Sequence, residues 1–172
     1  MTMQQPVRDL LIFLQKHPAV RLRIRAAPNR TLLYAGTFFR PMWKTTDDAN
    51  RSCPSGAAKE TLPDVLARIS LEGQVSPTLL AWVKELDILE PWDQNGFIVW
   101  RALSGIFASN AVGAVSFSVG SGVDRSKVFA ATELAVLLRN PRIDGVTRDV
   151  LAYYQRCLLS KNPGMNFGVV IG

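Results

Sequence analysis

Histidine occurs once, at His17, and cysteine only twice, at Cys53 and Cys157. One histidine and two distant thiols argue against a zinc site of the usual four-ligand kind. A Ser-His-Asp triad would have to use His17, and no serine sits in a nucleophile elbow. Two cysteines are too few for a disulfide scaffold; free thiols in a reducing compartment are expected, with one bridge left open. No apolar run reaches the ~18 residues that would suggest a membrane span. The first 16 residues lack a basic region followed by an apolar run and a small-residue cleavage site, so no secretory signal is expected. The expected location is cytoplasmic, or the cytoplasm of a target cell reached through a specialised secretion system. Gly120-Ser121-Gly122 is not followed by the Gly-Lys-Ser/Thr of a phosphate-binding loop, and its plain reading is a tight turn.

Against these absences stands a chain of 172 residues, 48% hydrophobic. That is enough for one domain, residues 1–172, with a core that needs neither metal nor disulfide. The formal charge of +6 is uneven. Residues 1–51 hold nine Lys/Arg against three Asp, whereas residues 52–99 hold three basic and seven acidic side chains. A basic end can meet nucleic acid, a membrane surface or an acidic partner, and is as often a solvated face.

Periodicity predicts a helix over residues 6–16, where Val7, Leu10, Leu11 and Leu14 share a face, Pro6 suits the first turn and Pro18 stops the run. Residues 20–25 alternate strictly and predict a strand with an arginine face of Arg21, Arg23 and Arg25. After a turn at Pro28-Asn29, residues 31–34 return as a second strand. Residues 37–60 read as a short helix and a loop. Thr61 and Asp64 have the spacing of a capped helix start, and Ser76-Pro77 opens another helix with Leu79, Trp82, Val83 and Leu86 on one face. Residues 97–108 predict a helix apolar nearly all round, hence buried. Residues 114–119 alternate as a strand. Residues 128–136 suit strand or helix, with strand favoured for 132–136. Residues 146–158 predict a helix and 167–171 a last strand. The expected fold is therefore α/β or α+β: a helical N-terminal part with a β-hairpin, packed on a small C-terminal lobe with a central, mostly parallel sheet.

The inventory leaves chemistry that uses carboxylates, aromatic surfaces and hydroxyls. Cleavage of an N-glycosidic bond fits it. The sugar becomes an oxocarbenium-like cation that a fixed carboxylate stabilises, and an aromatic face can hold a planar pyridinium by a cation–π contact. Glu133 stands alone among acids between Asp124 and Asp144, flanked by apolar residues. Such a carboxyl is either solvated or partly buried with a raised pKa.

The helix at 97–108, with Trp100 followed four residues later by Ser104, leads into the strand at 115–119 and the small-residue loop at 120–122. The run Ser126-Lys127-Val128-Phe129 and then Thr132-Glu133-Leu134 follow. Together these resemble the core of the ADP-ribosyl cyclase and NAD glycohydrolase family. The resemblance runs over roughly residues 30–155 and is strong only at 97–136. It implies that Glu133 holds the ribose hydroxyls and stabilises the oxocarbenium, that Trp100 packs on the nicotinamide side, and that Ser104 bonds near the ribose and phosphate. Tyr34 would replace the family's first active-site Trp, with Trp43 an open alternative. Arg101, Thr132, Ser121, Arg125 and Lys127 complete the implied substrate-binding set. Trp100 and Ser104 also read as ordinary core residues, and Tyr34 as strand packing.

The implied substrate is NAD+ or NADP+, with no cofactor and no metal. Departures from the family are the scarcity of cysteine and the lack of a clear second acidic residue, for which Glu72 is offset. Hydrolysis to nicotinamide and ADP-ribose is favoured over cyclisation. Destroying NAD+ harms the cell that makes the enzyme, which suggests an antibacterial effector toxin held in check by an immunity protein. Two other readings stand beside this: a non-catalytic module whose arginine face at 21–25 grips an acidic partner or, less expectedly, nucleic acid, and an inactive or immunity relative of the same fold.

Overall fold

The computed structural model describes residues 3–35, 59–119 and 132–159. Helix α1 (Gln5–Lys16) carries a proline in its first turn and buries Val7, Leu10 and Leu14. Helix α2 (Pro18–Arg23) follows directly. Strand β1 (Thr31–Ala35) precedes α3 (Leu62–Ala67) and α4 (Leu79–Asp87). A short 3₁₀ turn (Trp92–Gln94) leads into α5 (Gly96–Ser109), then strand β2 (Val115–Val119), α6 (Leu134–Arg139) and α7 (Gly145–Leu159). The described chain is thus helix-rich with a small sheet, an α+β arrangement at the coarse level. The predicted segments at 37–58, 120–122 and 167–171 lie outside the described residues.

Two of the predicted strands are helices. Residues 20–25 belong largely to α2, because Pro18 at its first position presets a helical start. Their alternation does not mark a buried face: Ile24 is buried, but Leu22 is 62% exposed. The Asn110 amide donates to the carbonyls of Arg21 and Ile24 at 2.8 and 3.1 Å, satisfying the end of the turn. The N-terminal hairpin is therefore absent. Residues 132–136 are also helical. Thr132 and Glu133 lie in a π-type turn that runs into α6. The sequence Leu-Ala-Val-Leu-Leu-Arg is rich in helix formers, and the three-residue step from Leu134 to Leu137 puts both in the core.

The partner of β1 is β2, in parallel, with Thr31 opposite Val115 and Leu33 opposite Phe117. Leu33, Val115 and Phe117 join the same core as Val99, Leu103 and Phe107 of α5. The register is set upstream of both strands. Asn29, at φ 65°, takes the Val112 carbonyl with its N–H at 2.9 Å, while its side-chain oxygen accepts from Ala114 N–H at 2.8 Å. Gly113 is required at this crossing: its φ is +78°, and a Cβ there would lie 2.0 Å from the Asn29 side-chain oxygen.

Local capping shapes the helices between the strands. Thr61 and Asp64 form the reciprocal capping box their spacing predicts. The cap of α4 is Thr78, whose hydroxyl accepts from Ala81 N–H at 3.1 Å, two residues beyond the predicted opening at Ser76. Ser76 is buried and donates to Glu85 instead, at 3.1 Å.

The far end of α5 is closed by one side chain. The buried Asn140 amide donates to the carbonyls of Ala108, Ser109 and Ala111 at 3.0, 3.3 and 2.9 Å. Its oxygen accepts from Arg142 N–H at 2.9 Å. Leaving a buried carbonyl unpaired costs about 1–3 kcal/mol. Asn140→Ala is therefore expected to lower the unfolding free energy by about 3 kcal/mol, a loss that denaturant titration will read as a fall in midpoint at unchanged slope.

Candidate functional site

Helix α5 buries Val99, Leu103 and Phe107 on one side, a four-residue step that fixes its rotation about its axis. With that rotation set, Arg101, Ser104 and Gly105 occupy i, i+3 and i+4 and share another face. The start of α6 meets this face. Arg101 Nε donates to Thr132 Oγ1 at 3.0 Å. Gly105 lies against Thr132, where a Cβ on the glycine would make an ordinary contact, 3.4 Å from Thr132 Cγ2. One residue on, the Glu133 side chain is hydrogen-bonded to Ser104.

Ser104 and Glu133 are only 5% and 6% exposed. Burial penalises the charged carboxylate and pushes the Glu133 pKa from 4.5 up to about 8, while the hydrogen bond with Ser104 pulls the other way. Glu133 is thus mostly a protonated acid at neutral pH and titrates in the range where a general acid or base is useful. This realises the buried one of its two predicted settings.

The predicted site residues divide into groups. Arg101, Ser104, Thr132 and Glu133 are brought together. Trp100 sits one turn before Ser104 on α5, half-buried against the core, and its indole N–H donates to Asp87 Oδ1 at 2.8 Å. Tyr34 is placed by its backbone in β1, opposite Ser118 of β2. Ser121, Arg125 and Lys127, and Trp43 as the alternative aromatic, lie outside the described residues. Asp87 escaped the sequence reading. Its role depends on indoles five and thirteen residues downstream, Trp92 and Trp100, and no local pattern signals it.

The arginine strand face is not formed. Arg21 and Arg23 lie exposed on α2, and Arg25 lies exposed beyond it. Among the described residues, no group of three or more His, Cys, Asp or Glu is placed to hold a metal ion. No described helix is long and apolar enough to cross a membrane. No family model, no curated protein and no solved structure matches the chain.

The raised pKa has a consequence for stability. Between pH 4.5 and about 8 the unfolded chain loses the Glu133 proton while the folded chain keeps it. Stability from this group is therefore present below pH 4.5, falls as pH rises through that window, and is lost above about 8. Glu133→Gln removes the titration. Its stability relative to wild type is expected to rise with pH across that window, by an amount of the order of a few kcal/mol at about 1.4 kcal/mol per pKa unit. Thermal melts at a series of pH values check the sign.

Proposed function

We propose that this chain is a glycohydrolase of the ADP-ribosyl cyclase type that cleaves NAD+ or NADP+ at the nicotinamide–ribose bond. The observation that carries the reading is the buried Glu133–Ser104 pair, with Ser104 four residues after Trp100 on α5. A carboxyl in so dry a setting stabilises a neighbouring cation far better than one in water. The bond between the ring nitrogen and the ribose carbon breaks, and its electron pair leaves with the nicotinamide, which becomes neutral. The ribose is left as an oxocarbenium ion, and ionised Glu133 stabilises that charge. Water adds to the carbon and releases a proton, giving ADP-ribose. The cationic substrate itself favours ionisation of Glu133 when it binds.

Arg101 acts through Thr132, holding the turn that carries Glu133. Tyr34, Ser121, Arg125 and Lys127 remain candidates for substrate contact on the sequence resemblance. The antibacterial effector role and its immunity partner belong to the same proposal: an enzyme that consumes NAD+ needs an inhibitor in the cell that makes it.

The direct test is nicotinamide release from NAD+ and NADP+. Wild type is expected to release it and Glu133→Gln to be slower by about a hundredfold or more, as loss of a central electrostatic group implies. No release by wild type from either nucleotide overturns the proposal.

The pH profile gives a second reading of the same group. Since the charged form of Glu133 is required, kcat/KM of wild type, which reports the free enzyme, climbs as pH rises towards its pKa of about 8 and then levels. Ser104→Ala removes the bond that lowers this pKa, so the midpoint of its profile moves to higher pH. A profile that falls over this range would assign Glu133 the role of an acid instead.

Expression of wild type without a partner is expected to deplete cellular NAD+ and arrest growth, whereas Glu133→Gln is tolerated. Normal growth with undiminished NAD+ counts against the effector role.

A further inference from the structure

The indole N–H groups of Trp92 and Trp100 converge on the same oxygen, Asp87 Oδ1, at 3.3 and 2.8 Å. The cluster is tightly built. Gly96 lies between its members, and a Cβ there would fall 2.3 Å from Trp92 Nε1 and 3.1 Å from Asp87 Oδ1. Asp87 ends α4, and Trp100 lies in the second turn of α5, so the carboxylate joins two helices through the edge of an aromatic ring. Trp100 is half-buried and packs against the core.

An anion at the N–H edge of an indole does more than hold it. It pushes electron density toward the ring, which makes the face more attractive to a cation. It also adds its own Coulomb attraction in a partly desolvated place. Trp100 stands one helical turn, about 6 Å along the axis, from Ser104, the residue that holds Glu133.

We propose that Asp87 is a specificity-determining residue that makes the Trp100 face selective for a positively charged aromatic ring over its neutral counterpart. The proposal rests on the reading of Trp100 as the nicotinamide-side platform. Its consequence for that reading is directional. The pyridinium of the substrate is held, and the neutral nicotinamide formed by cleavage is released from the same surface.

The test compares binding of the N-methylnicotinamide cation and of neutral nicotinamide by ligand-observed NMR titration. Wild type is expected to prefer the cation. Asp87→Asn keeps an oxygen that accepts both indole N–H bonds but removes the charge. It is expected to weaken cation binding by about five- to tenfold and to leave neutral binding unchanged. Trp100→Phe keeps an aromatic face but has no N–H to present to Asp87, and should reduce the preference without abolishing it.

Equal affinity of wild type for the two ligands, no binding of either, or equal weakening of both by Asp87→Asn overturns the inference; so does a preference that Trp100→Phe leaves undiminished. The two proposals fail separately. Nicotinamide release by wild type without charge selectivity removes only this inference. Charge selectivity without nicotinamide release removes the glycohydrolase and leaves a binding site for aromatic cations.

Discussion

A buried helix end needs partners for its last carbonyl groups, and the architecture around the site follows from how α5 meets that need. Asn140 supplies the donors, which ties the C-terminal end of α5 to the connection between α6 and α7. Arg142 and Arg148 reinforce the same corner by donating to the carbonyls of Ser109 and Asn140. With α6 held at this end, its opposite end begins beside Arg101, Ser104 and Gly105. The position of Glu133 is therefore a result of helix termination some distance away. The dry surroundings that raise its pKa are a result of the same packing.

Two carboxyl groups beside α5 have opposite settings. Glu133 is sealed in, hydrogen-bonded to a hydroxyl, and carries its charge only at a cost. Asp87 is partly exposed and accepts from two indoles. Both are reached from α5, one through Ser104 and one through Trp100, a turn apart. One helix can organise both because its buried stripe of Val99, Leu103 and Phe107 leaves it no freedom to rotate.

What was legible in the sequence is what depends on short spacing. The Thr61–Asp64 box, the amphipathic α1 and the apolar α5 all declare themselves within one or two turns. The Trp100–Ser104 step and the isolated, apolar-flanked Glu133 were also visible, and the buried setting of Glu133 was one of two predicted. The failures have a common cause. At 20–25 and 132–136 a short run of alternating or β-branched residues suited a strand, and helix starts and distant packing decided otherwise. Ile24 alone of the alternating residues is fully buried, so the pattern never described a face. Asn140 and Asp87 were invisible because an Asn or Asp reads as a turn or surface residue until its partners, between 5 and 32 residues away, are known.

The pairing of β1 with β2 also bears on how the chain reaches its native state. Asn29 and Ala114, which join the bases of the two strands, are 85 residues apart. Closing a loop of that length costs entropy before the sheet gives anything back, and contacts so remote in sequence slow folding. Helices α3, α4 and α5 can form early from their own caps and stripes, whereas among the described residues β1 has only its bridge to Glu60 before residues 115–119 supply a paired strand. During synthesis β1 cannot pair with β2 until residues 115–119 have been made. The sheet, and with it the relation between the two ends of the molecule, is completed late.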